Sequence, residues 1–213
     1  MLYRAATDLQ RMGVDSMTFP ELETERLKLV RMDERYLEAY FNIMSNDHVM
    51  EFYGMEPLKQ IEDAEKIITS MKYTYESGNG IRWAIVLKDT GAFAGTLGLN
   101  LLRFQMKRTE IGYELGTDFW GKGIASEAVK EVLRYSFQDL GLFRIGAVTF
   151  PQNESSIKLL KKLGFIEEGR LRGYLYQNEQ SHDAMVFSLL RTDEAASELV
   201  CVERSESAGK TKS

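Results

Sequence analysis

Arg26-Leu27-Lys28-Leu29-Val30-Arg31 alternates polar and apolar side chains, the two-residue period of a strand with one buried face. Ahead of it, residues 1–20 lack a clean period and close at Pro20, a lead-in segment. Asp33 can cap a helix that carries Leu37, Tyr40, Phe41 and Met44 on one face. After a loop with Gly54 and Pro57, Ile61, Ala64, Ile67, Ile68, Met71 and Tyr75 predict a second amphipathic helix, stopped by Ser77-Gly78-Asn79-Gly80. Ile81, Trp83, Ile85 and Leu87 alternate as a strand, and the turn Lys88-Asp89-Thr90-Gly91 leads into another over about 93–102. A basic link (Arg103, Lys107, Arg108) then precedes a fourth strand marked by Ile111, Tyr113 and Leu115.

Gly121-Lys122-Gly123 opens a helix whose apolar positions are Ile124, Ala128, Val129, Val132, Leu133, Phe137 and Leu140, and Gly141 ends it. Residues 143–150 are nearly all apolar or small, as in a strand buried on both faces. A short helix from about Glu154 closes at Leu163-Gly164, with Lys158, Lys161 and Lys162 near its negative end. Two last strands fit 165–176 and 183–191. From Thr192 onward Asp, Glu, Ser, Ala and Lys dominate, which predicts a disordered tail over 192–213. The order predicts one α/β (α+β) domain over 21–191: a mixed, seven-stranded sheet flanked by helices, with one parallel crossover near its centre.

The 27 basic and 32 acidic residues leave a net charge of −5, so no global attraction to nucleic acid is expected. A single cysteine, Cys201, excludes an internal disulfide, and two histidines, His48 and His182, are too few for a histidine-based metal site. The N-terminus has no apolar signal region, and no apolar run approaches the ~20 residues of a membrane span. A soluble, cytoplasmic protein with no membrane partner is expected.

Trp120-Gly121-Lys122-Gly123-Ile124-Ala125-Ser126 falls between a predicted strand and a predicted helix. Such a turn aims unpaired backbone N–H groups outward at the positive end of a helix dipole, and small residues let a pyrophosphate come close. Four readings stay open on this segment alone. A nucleotide P-loop needs Gly-Lys-Ser/Thr after a longer glycine loop, which is missing. A dinucleotide fingerprint is nearly met by Gly121-x-Gly123-x-x-Ser126. Its acidic partner should end a second parallel strand, however, and the nearest acid, Asp139, sits at a helix end. A coenzyme A site is the third reading, and a tight turn with no ligand is the fourth.

Further segments accompany the turn. Leu22-Glu23-Thr24-Glu25-Arg26-Leu27 stands at the first strand and Glu110-Ile111-Gly112-Tyr113-Glu114-Leu115 on the fourth. Asn153-Glu154-Ser155-Ser156 and Lys162-Leu163-Gly164-Phe165 follow the turn in the same order. With these, the chain from about Leu22 to Leu190 resembles the GNAT superfamily of acetyltransferases, most closely the ribosomal-protein N-acetyltransferases of the RimJ/RimL type. The resemblance implies a mostly antiparallel sheet whose central parallel pair splays apart. It implies acetyl-CoA as cofactor, with coenzyme A as product and no metal. The pyrophosphate would rest on the backbone of Gly121, Lys122, Gly123, Ile124, Ala125 and Ser126. Pantetheine would add to the strand edge at Leu115-Gly116-Thr117, and Asn153 would touch cofactor or acceptor. The acceptor would be a peptide or protein N-terminus or, alternatively, a small amine such as a polyamine, an amino acid or an amine antibiotic. A monomer and a homodimer both fit.

Attack on a thioester needs a neutral amine and a proton for the departing sulfur. An α-amino group titrates near ~8 and lysine near ~10.4, so a general base helps both and helps lysine more. Glu110 is the first candidate base: it faces away from Ile111, Tyr113 and Leu115, at a spacing from Trp120 that resembles the catalytic glutamate of the histone-acetylating branch. Glu114 shares its face and is the second. Val148 and Thr149 stand where some relatives carry a fifth-strand glutamate, and Leu160 stands where many carry an acid tyrosine. Ser156 matches a serine near the sulfur in the RimJ/RimL branch and is the candidate acid. Each has an ordinary structural alternative: a solvated strand carboxylate for Glu110, a cap for Asn153, a first-turn helix residue for Ser156. The departures at Val148, Thr149 and Leu160 also leave open a non-catalytic acyl-CoA-binding module.

Overall fold

The computed structural model describes residues 19–199 of the chain, so the lead-in up to residue 18 and the tail from residue 200, with Cys201, lie outside the described residues. Strands β1 (Leu22–Glu23) and β2 (Leu27–Arg31) are followed by a 3-10 turn capped by the Asp33 carboxylate, then by helices α1 (Leu37–Met44), α2 (Asp47–Met50) and α3 (Ile61–Glu76). Strands β3 (Ile81–Leu87), β4 (Phe93–Arg103) and β5 (Arg108–Leu115) come next. Helix α4 (Ile124–Gln138), strand β6 (Arg144–Thr149) and helix α5 (Glu154–Lys162) precede the closing hairpin of β7 (Ile166–Gln177) and β8 (Gln180–Leu190).

These strands form one sheet in the order β1-β2-β3-β4-β5-β6-β8-β7, antiparallel throughout except for the parallel pair β5–β6. The parallel pair follows from the chain path, because α4 carries the chain across the sheet between them. The sheet has eight strands where seven were expected. The extra one, β1, is two residues long and pairs Leu22 with Leu29, too short to show a period in the sequence.

The apolar face predicted for α4 is the one it buries, with Ala128, Val129, Val132, Leu133 and Phe137 packed on Leu27, Leu29, Trp83, Leu97 and Ile145. Helix α5 joins the same layer through Leu160. On the opposite face, Tyr40, Met44, Met50, Ala64 and Ile68 from the early helices cover Ala84 and Val86 of β3. That second layer stops at the centre of the sheet. As a result β6 is buried on one face but only in part on the other: Ile145, Ala147 and Thr149 are buried, while across from them Gly146 is buried and Arg144 and Val148 are half-buried.

Order also continues past Thr192, where a disordered tail was expected to begin. The Asp193 carboxylate accepts from the Leu190 N–H at 2.8 Å, residues 194–199 are helical, and Ala196 is fully buried in the main core. The alanines carry too little apolar bulk to register as a helical stripe, but only small side chains fit there, since Ala195 packs directly on Gly164.

Candidate active site at the splayed strands

Strands β5 and β6 pair only at Arg108–Arg144, Thr109–Ile145 and Glu110–Gly146. Beyond that step each continues alone on its facing edge, β5 to Leu115 and β6 to Thr149, so a V opens in the middle of the sheet. A cleft of about 350 Å³ occupies the V, lined by Tyr53, Glu110, Tyr113, Glu114, Asn153 and Ser156 among others. Glu110 therefore stands at the vertex. Its side chain is half-buried, lines the cleft and a second concavity on the open sheet face, and has no hydrogen bond or ion pair among the described residues. Gly146 lies opposite it, and a Cβ at that position would come into van der Waals contact with Glu110 Cγ at 3.4 Å.

Glu114, on the same face, is differently placed. Its side chain is 2% exposed and ion-paired with Arg82, and it accepts hydrogen bonds from Thr96 Oγ1 and from the Tyr53 hydroxyl at 3.4 Å. Arg82 donates in turn to Thr96 Oγ1 at 2.7 Å. Burial, reinforced by the Glu114 carboxylate, pushes the Tyr53 phenol up, so it remains a donor. With its carboxylate held by three donors, Glu114 is a buried anchor of the cleft wall. The anchor also fixes the loop after α2, because Tyr53 and Phe52 line the cleft from there. Gln177 of the β7–β8 hairpin holds the same loop from outside, donating to the Met50 carbonyl at 2.7 Å and accepting from Gly54 N–H at 2.9 Å.

On the other wall, Ser156 Oγ lies 2.9 Å from the Tyr113 hydroxyl, which bridges β5 and the first turn of α5. Burial raises the Tyr113 phenol, partly offset by this bond. Asn153 caps α5, its Oδ1 accepting from Ser156 N–H at 3.0 Å, so the expected capping role is present while the residue also lines the cleft. Leu160, fully buried, closes the floor.

The glycine turn stands at the start of α4. Gly121 (φ +69°) and Gly123 (φ +77°) both take the left-handed conformation that other residues resist. Gly123 is the N-cap with no side chain capping the helix, and a Cβ added at Gly121 would meet nothing within 4 Å. The first-turn N–H groups are thus left to an outside acceptor, as an anion site requires. Glu127, one turn on, does not crowd them. Although burial raises it, hydrogen bonds from Thr24 Oγ1 (2.5 Å) and Arg26 hold its carboxyl below the usual range. Arg26 also donates to the Lys122 carbonyl at 3.1 Å, which puts a guanidinium beside the turn. Trp120 Nε1 donates to the Leu115 carbonyl at 2.9 Å, tying the end of β5 to the turn.

Residues 26–166 match the family model described as "Acetyltransferase (GNAT) domain". The chain belongs to the GNAT acetyltransferase family. This acetyltransferase is 44% identical over 176 residues to a Bacillus subtilis protein named uncharacterized N-acetyltransferase YoaA, covering 83% of this chain and 99% of that one. It is 34% identical over 142 residues to the putative ribosomal N-acetyltransferase YdaF of the same organism, covering 67% and 76%. Mycobacterium smegmatis RimJ, solved in complex with CoA-disulfide, is similar in structure at a TM-score of 0.73 and 25% identity, over 86% of this chain and 89% of that one. The enzyme is an N-acetyltransferase.

The segments that carried the resemblance are neighbours in the acetyltransferase fold: Thr24 and Arg26 of the first segment grip Glu127 just after the glycine turn. Four cleft residues were not picked out beforehand as functional. Tyr113 reads in the sequence as an apolar strand marker, although a buried tyrosine hydroxyl calls for a partner. Arg82, Tyr53 and Phe52 had no signal, since their roles depend on which loop meets which strand. Among the described residues, no helix is long and apolar enough to cross a membrane, and no cluster of His, Cys, Asp and Glu could hold a metal.

Proposed function

We propose that the enzyme transfers acetyl from acetyl-CoA to a peptide or protein N-terminal α-amine, with Glu110 as general base. One observation carries this reading: Glu110 sits at the last paired step of β5–β6, with no hydrogen bond or ion pair to its side chain among the described residues, where the cleft meets the open face of the sheet. The open glycine turn fits the pyrophosphate, because the space over Gly121 is empty and the helix start is uncapped by any side chain. The edge of β5 that faces the V fits an extended pantetheine as far as Leu115, whose carbonyl already accepts from Trp120 Nε1, whereas Thr117 lies past the strand in a 3-10 turn. The names of YdaF and RimJ support the cofactor and the acceptor class. When bound, acetyl-CoA supplies the thioester whose acetyl group is transferred.

Glu110 would take the proton from the amine, directly or through one water. The Ser156 hydroxyl would supply the proton needed at the sulfur and be resupplied by Tyr113, its partner at 2.9 Å. Tyr113 thereby fills the role left empty at Leu160. Glu114 and Arg82 position the wall; they do not move protons. Asn153 would hold the first turn of α5, and with it Ser156, in place.

The test is Glu110→Gln. A base acts in the transition state, so kcat should fall ~10²–10⁴-fold while acetyl-CoA affinity by calorimetry stays within a factor of about two. The residual rate should climb with pH, and a lysine-like acceptor should lose more than an α-amine. Equal rates for mutant and wild type from about pH 6 to 9 would exclude Glu110 as base.

A further inference from the structure

The basic link noticed in the sequence becomes a row. Arg103 of β4 is the cross-strand partner of Arg108 of β5, and Arg108 is the partner of Arg144 of β6. Three guanidinium-bearing positions thus stand side by side across three adjacent strands, an arrangement that like-charge repulsion disfavours unless something negative meets it. Two residues along β5 and β6, Glu110, the candidate base, pairs with Gly146 on one side and Asn100 on the other.

Neutralisation within the fold is incomplete. Arg144 is paired with Glu168, its Nη1 2.6 Å from the carboxylate. Arg103 donates only to neutral oxygens, the Asn79 amide at 3.0 Å and its neighbour's carbonyl at 2.9 Å. Arg108 is exposed, and its side chain has no hydrogen bond or ion pair among the described residues. All three line a concavity of about 230 Å³, whose only carboxylate among the described residues is Glu110. The concavity adjoins the cleft, since Glu110, Ala147 and Val148 line both. A bulge in β4 also aims Leu101 into it: the residue is 57% exposed and held at φ +50°, a conformation a leucine adopts only under constraint.

We propose that this concavity is an acceptor subsite that selects an N-terminus bearing an acidic side chain at its second or third residue. Deepening the N-terminal reading above, it rests on that reading for the placement of the amine. Residues two apart on a strand lie ~7 Å apart, the length of about two residues of extended peptide. With the α-amine at Glu110, a carboxylate one or two residues along reaches Arg108 and Arg103. A polyamine would meet the same row as a repulsive surface.

The experiment uses C-terminally labelled peptides identical except at residues two and three, which are both Asp, both Ser or both Lys. Binding is read by fluorescence anisotropy on the Glu110→Gln protein with coenzyme A present, and turnover is read on wild type. The Asp peptide should bind at least ~10-fold tighter than the Ser peptide, and the Lys peptide weaker still, with the spread shrinking as salt rises. In wild type the preference should appear in KM more than in kcat. Replacing Arg108 in the Arg108→Gln variant should bring the Asp-to-Ser ratio below about three, with acetyl-CoA affinity as the check that the fold is intact. Equal binding of Asp and Ser peptides, or a preference that survives Arg108→Gln, overturns the subsite. Turnover of small amines with no binding of any peptide overturns it too. A binding preference seen while Glu110→Gln retains full activity upholds the subsite and removes the base instead.

Discussion

Arg82→Met is the most informative single perturbation of the cleft wall. The substitution keeps most of the side-chain volume but removes the cation from Glu114, whose side chain is 2% exposed, while Arg82 itself is 12% exposed. Breaking one partner of a buried pair costs about 3–5 kcal/mol, because the remaining charge is left in a poor solvent. Thr96 and Tyr53 still donate to Glu114, which argues for the lower end, about 3 kcal/mol. For a domain of this size that is a fall in Tm of about 6–12 °C. The companion Arg82→Met/Glu114→Gln removes both charges and leaves an amide that still accepts from Thr96. It should recover at least about 2 kcal/mol of the loss, a coupling that only a direct interaction gives. Urea unfolding followed by circular dichroism on wild type, both single variants and the double variant completes the cycle. Acceptor KM should rise in Arg82→Met, because Tyr53 loses part of its anchor to the sheet. A loss under about 1 kcal/mol, or single effects that simply add, would refute the argument that this pair is a buried, mutually dependent unit.

Other consequences are as direct. Gly123→Val forces a β-branched residue to φ +77° and fills the approach to the α4 N-terminus, so calorimetry should find acetyl-CoA binding lost with Tm only a few degrees lower. The hydrogen bond from Arg144, opposed by burial and aided by Ser188, lowers Glu168 to about 2. A carboxyl depressed on folding stabilises above its unfolded value and loses that contribution as pH falls toward its folded value. Wild type should therefore lose stability between about pH 4.5 and 2 relative to Glu168→Gln, by no more than about 1 kcal/mol because the pair is a third exposed. A chain ended at Asp193 loses buried Ala196 and the contact of Ala195 with Gly164, and denaturant unfolding should show a cost of about 2 kcal/mol.

What the sequence determined by itself is whatever repeats locally. The period of Leu27 to Arg31 and the stripe from Ile124 to Phe137 announce which face each element buries, because the alternation of side chains along a strand or helix follows from backbone geometry alone. Gly121 and Gly123 announced a tight turn ahead of α4, since glycine's tolerance of positive φ is a single-residue property. The order of motifs gave the family, and Glu110 could be set on the face away from the core. The sequence ranked Glu110 above Glu114, two carboxylates four positions apart on one strand, by its spacing from Trp120 alone. Tertiary structure separated them, putting Arg82, Thr96 and Tyr53 around one and leaving the other at the vertex of the splay. The same is true of Tyr113 with Ser156, 43 positions away, and of the row formed by Arg103, Arg108 and Arg144. In each case the chemistry depends on which strand lies beside which, and strand pairing is fixed by the packing of the whole sheet, which no local period encodes.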